Sequence, residues 1–171
     1  CLQRQSIDRG TRGYNYIIMK LITRNTDYAI RILVTMARRQ DEACSTAGYI
    51  HRDLGISLSF VRKIMQQLGK RGLLKSCKGK GGGFRIGRPP QEINIIEIIT
   101  ATQGPLRFND CDDRPQSCRN WHTCLMRGAL KEVERCVNGE LNKITLASLV
   151  AVNKVLLRPR IPVKMFTATK R

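Results

Sequence analysis

Between residues 52 and 88 the chain reads as the end of one helix, a tight turn, a second helix and a short basic hairpin. That order restricts the fold more than any other feature of its 171 residues. Ser45 can cap a short helix running to residue 54, and Gly55 ends it. A second helix starts at Ser57 or Ser59, with Phe60, Ile64 and Leu68 as its apolar stripe and Val61 and Met65 alongside. Ser59, Arg62, Lys63, Gln66 and Lys70 form the opposite face, and Gly72 stops the helix. Two strand-like runs follow, 73–77 and 84–86, joined by Lys78-Gly79-Lys80-Gly81-Gly82-Gly83. This is the layout of a winged helix-turn-helix. Ten Lys and Arg against Asp53 make the segment strongly basic. Ser57, Ser59, Arg62 and Lys63, with Gln66 further along the same face, are placed to reach base edges in a major groove. Lys78 and Lys80 at the glycine-rich tip, with Arg85 on the second strand, are placed to meet phosphates or a minor groove.

The rest of the chain agrees with a nucleic-acid partner. The formal charge is +18, and a hydrophobic fraction of 42% supplies a core that a disordered polycation lacks. No apolar run approaches the roughly 20 residues that span a bilayer, and the N-terminal 18 residues lack the apolar core of a secretion signal. The expected location is therefore cytoplasmic, with no membrane partner. Aromatic residues at 5% are few for stacking RNA bases, so double-stranded DNA is the expected partner. Two motif fragments fail as enzyme signatures. His51-Arg52-Asp53 lacks the glycine-rich loop and downstream Asn of a kinase, and Gly79-Lys80-Gly81 lacks the Ser/Thr of a phosphate-binding loop. The protein reads as no enzyme.

The chain divides into an extension (1–18, ahead of a natural start at Met19), a winged helix-turn-helix unit (19–104), a cysteine-bearing loop (105–120), a dimerisation helix with a short terminal helix (121–155) and a basic tail (156–171). A largely buried helix is expected over 26–38, with a polar connection over 39–44. Pro89-Pro90 is a rigid break, and Asn94 with Glu97 forms a capping box for a helix to residue 102, closed by Gly104. In the long helix over 121–143, Met126, Leu130, Val133 and Val137 lie close to a heptad seam, continued by Leu141 and Ile144. Two copies pairing on that seam give a two-fold homodimer that reads a near-palindromic site. Thr145 can cap the helix over 146–155. The fold class is mostly α: a winged helix-turn-helix with a long C-terminal dimerisation helix.

Seven cysteines, an odd number, make a disulfide framework improbable. Cys111, Cys118 and Cys124 are spaced C-x6-C-x5-C, the first two in the loop over 105–120 and Cys124 near the start of the long helix. Zinc sites favour paired short spacings and four ligands, whereas three thiolates with a fourth ligand from elsewhere fit an iron–sulfur cluster. His122 sits awkwardly close to Cys124. Asp27, on the polar stripe of the first helix, is a carboxylate that a symmetric partner could present. Cys136, near the seam, reads as a core residue, Cys44 and Cys77 have no assigned role, and His51 is structural or phosphate-facing.

The segments MKLITRNTDYAIRIL and GISLSFVRKIMQQLGKRGLLKSCKGKGGGFRIGR, followed by the three-cysteine loop and a long helix, resemble the iron–sulfur IscR, NsrR and RirA group of bacterial transcription regulators over about residues 19–152. The resemblance implies a dimeric repressor whose loop cluster controls DNA affinity in response to nitric oxide, iron or redox status. In the IscR branch a histidine three residues after the third cysteine is a ligand; that position here is Arg127. In the NsrR branch an aspartate of the first helix, supplied by the other subunit, is the fourth ligand, and Asp27 matches it, which favours a four-iron cluster over a two-iron one. The alternatives are a cluster-free regulator of the same fold that responds to thiol oxidation or a protein partner, and a nucleoid or RNA-binding basic protein.

Overall fold

The computed structural model describes residues 21–39, 44–79, 82–108, 118 and 120–156. Helix α1 (Arg24–Arg38) is the centre of the body. Thr23 caps it by accepting from the Thr26 amide, and Ala29, Ile32, Leu33 and Met36 are buried along it. Helix α2 (Ala47–Leu54) is capped by Thr46 rather than the expected Ser45, because Ser45 is engaged elsewhere: its backbone pairs with Phe84. Gly55 closes α2 in the left-handed region at φ 66°. Helix α3 (Leu58–Lys70) begins after Ser57 and buries Val61, Ile64, Met65 and Leu68 against α1 and α2.

Strands β1 (Leu74–Cys77) and β2 (Gly83–Ile86) form the antiparallel hairpin of the wing, with Leu74 opposite Ile86 and Cys77 opposite Gly83. A 3-10 turn at Pro90–Glu92 leads into α4 (Ile95–Gln103), where Asn94 accepts from the Glu97 amide as the capping box requires. Helix α6 (Leu146–Leu156) returns to the body. Leu146 is fully buried in the same core as Ile32 and Ile98, and its amide bonds the Ile93 carbonyl at 2.8 Å.

Helix α5 (Leu125–Lys143) lies between these anchors and has no buried residue. It starts four residues later than its periodicity suggests. Residues 120–123 instead form a turn, with Trp121 N bonding Cys118 O, and Cys124 takes an extended conformation as the N-cap. Cys136 is exposed, not a core residue, because α5 packs only lightly on the body. No helix among the described residues is long and apolar enough to cross a membrane. The expected extension (1–18), the basic tail beyond 156, Lys80 and Cys111 lie outside the described residues.

Candidate nucleic-acid interface and cysteine loop

The burial pattern of α3 sets its outward face. Val61, Ile64, Met65 and Leu68 point inward, so Ser59, Arg62, Lys63, Gln66 and Lys70 are exposed together. Ser57 makes no side-chain cap bond, which leaves its hydroxyl available at the head of this face. The turn before it is locked by His51, whose Nδ1 lies 2.6 Å from the Ile56 carbonyl, so His51 is structural. On the wing, exposed Lys75 stands directly opposite exposed Arg85, and Lys78 is exposed at the start of the tip. Like charges directly opposite repel. None of Arg62, Lys63, Lys75, Lys78 and Arg85 has an ion pair among the described residues. A surface of unpaired cations on the outer face of a helix and its wing is built for a polyanion.

The inner face of α3 carries a polar junction that the sequence did not reveal. Gln67 Nε2 donates to the carbonyls of Ala101 and Thr102, both at 3.1 Å, and Asn25 Nδ2 donates to Gln67 Oε1 and to Thr102 O. Thr26 and Thr102 share a buried hydroxyl hydrogen bond of 2.8 Å. This ties α3 to the start of α1, beside Asp27, and to the end of α4, from which the cysteine loop departs.

In the loop, Cys118 and Cys124 are free thiols. Cys124 Sγ accepts from the Arg127 amide at 3.4 Å and so caps α5. The Arg127 guanidinium lies 3.9 Å over the Trp121 ring, and its Nε donates to Trp121 O. Glu134 accepts from Arg107 and from the Phe108 amide, which fastens the root of the loop to α5. Asp27 pairs with Arg31 at 3.0 Å on the surface, and exposed His122 packs edge-on against Trp121. Among the described residues no three His, Cys, Asp or Glu gather as a metal site.

Of the seam residues, Met126 and Val133 are exposed, and Leu130 and Val137 are half-buried. Two further cysteines are joined rather than idle: Cys44 and Cys77 form a disulfide, contrary to the expectation from an odd count.

Residues 22–152 match the Rrf2 family of iron-dependent transcriptional regulators. The chain belongs to the Rrf2 family. It is 32% identical over 133 residues to the HTH-type transcriptional regulator NsrR of Bacillus subtilis, covering 77% of this chain and 90% of that one. It is 30% identical over 136 residues to IscR of Serratia proteamaculans, covering 80% and 82%. The fold is similar to that of T. potens IscR, with a TM-score of 0.64 at 21% identity over 81% of this chain and 92% of the other. This Rrf2 protein is a DNA-binding transcription regulator and not an enzyme.

Proposed function

We propose that this Rrf2 protein is a homodimeric repressor whose affinity for a near-palindromic operator is set by an iron–sulfur cluster. Cys111, Cys118 and Cys124 of one subunit would hold it together with Asp27 of the partner subunit, a set that favours four irons over two. Cys124 carries the reading. Its sulfur caps the N-terminus of a 19-residue helix and accepts a backbone N–H there, so a soft donor atom is held in a fixed place where the cysteine loop meets α5. Soft sulfur at three corners with oxygen at the fourth suits an iron–sulfur centre. When bound, the cluster supplies a centre whose ligation responds to nitric oxide, oxygen or iron supply.

The chain's own residues do the coupling. Glu134 fixes one root of the loop to α5, and Arg127 folded on Trp121 fixes the other. Asp27 follows Thr26, which bonds Thr102 and Gln103, so a pull on Asp27 reaches the junction that holds α3. Two recognition helices held at one separation match two half-sites; a change in that separation lowers operator affinity.

Anaerobic purification tests the reading. The expected product is a brown dimer containing iron and sulfide, and any one of Cys111→Ala, Cys118→Ala and Cys124→Ala gives colourless protein. A colourless wild type that binds DNA fully would favour the cluster-free regulator, for which the Cys44–Cys77 pair offers a thiol chemistry of its own.

A further inference from the structure

Cys44 and Cys77 belong to neither the cysteine loop nor α5. They are 33 positions apart in sequence, with Cα atoms at 6.4 Å, and both are half-exposed. Cys44 precedes Ser45, whose N–H and C=O bond Phe84 O and N at 2.8 and 3.0 Å. Cys77 closes β1 opposite Gly83. The two sulfurs therefore clamp the β2 strand where it leaves the wing tip, one residue from Lys78. Lys75, Lys78 and Arg85 make the surroundings electropositive, the setting in which reactive thiols occur. Disulfides are rare in a reducing cytosol, and those that form there are usually transient and catalytic or redox-sensing.

We propose that Cys44 and Cys77 are a redox-reversible staple that sets how ready the wing is to meet DNA, oxidised by a peroxide and reopened by a dithiol. One thiolate attacks a peroxide oxygen, the O–O bond breaks, and a sulfenic acid and hydroxide result. The second thiol displaces that hydroxyl as water, so an S–S bond forms, the pair loses two electrons and the peroxide gains them. A dithiol reverses the step by becoming a disulfide itself. With the staple closed, the tip-proximal end of the hairpin is held before DNA arrives; with it open, that end loses its covalent tie beside the Ser45–Phe84 bonds and ordering is paid for on binding. The closed form should bind duplex roughly three- to tenfold more tightly. This rests on the reading that the wing touches phosphate.

The test uses the full chain, stripped of iron by chelation and treated with hydrogen peroxide or with dithiothreitol. Both forms are titrated with a short duplex of arbitrary sequence, so neither operator nor cluster enters. The expected result is a cross-linked Cys44–Cys77 peptide after peroxide, tighter binding that dithiothreitol reverses, and Cys44→Ser and Cys77→Ser proteins that bind like the reduced wild type under both treatments. The staple is overturned if peroxide leaves both thiols open to alkylation, if the linked and open wild-type forms bind equally, or if Cys77→Ser keeps the response. Lys78→Ala in the linked form separates the two layers. An unchanged salt dependence there overturns the wing reading itself, and a reduced one with equal affinities overturns the staple alone.

Discussion

A methyl group at Gly83 would run into the Ser45 carbonyl and the Thr46 Cα, backbone atoms that are themselves held by the Phe84 bridge. Gly83→Ala should therefore push the α2 lead-in off the wing and destabilise the fold by about 1–3 kcal/mol. Gly128 on α5 meets nothing within 4 Å, so Gly128→Ala should stabilise by about 0.5–1 kcal/mol. Thermal unfolding of the two variants side by side checks the opposite signs. Lys78 is expected to act by charge. Lys78→Ala should weaken binding to every sequence and lower the slope of log affinity against log salt by about one unit, whereas Arg62→Ala should change the preference among sequences. At this scale the sequence was legible where one residue type has one local use: Asn94 with Glu97, Gly55, and the basic face of α3. It misplaced Ser45 and Cys136, since a strand partner 39 positions away and the lightness of a helix contact are tertiary facts.

At the scale of elements, α5 is the anomaly. A 19-residue helix with no buried residue, carrying Leu125 at 91% exposure, Met126 at 66% and Val133 at 47%, presents apolar surface that no described residue covers, which suits it to the proposed pairing of two subunits. Val133→Asp would place an ion in the proposed dimer interface at a cost of several kcal/mol, and the expected outcome is a monomer in sedimentation. An unchanged dimer would remove α5 from the interface. The heptad spacing made this helix readable, but not its start. Cys124 caps it with sulfur, and residues 120–123 prefer a turn, so the cysteine predicted as a ligand also defines the helix end. The Cys44–Cys77 link was illegible for a similar reason, because the register that sets Cys77 opposite Gly83 is decided by packing of Leu74 and Ile86 on the body.

For the whole molecule, one core joins α1, α3, α4 and α6, and the wing and α5, which the proposals make responsive, lie at its margin. Opening the disulfide releases a 33-residue closure and should lower the stability of the unfolding transition by up to about 3–4 kcal/mol in the chain-entropy account. The proposed cluster would act on a different quantity, the relation between two subunits. Asp27→Ala should keep a cluster that is labile or poorly coupled to DNA, while a Cys→Ala change abolishes it; a variant with wild-type spectrum, stability and DNA response would pass the role to His122. The most direct measurement takes a duplex selected from a random pool by the anaerobic, loaded protein and compares its affinity for loaded and chelator-stripped protein under thiol-reducing conditions. Stripping should weaken binding by tenfold or more, about 1.4 kcal/mol at least, with Cys124→Ala matching the stripped form throughout. Equal affinities for loaded and stripped protein would contradict it.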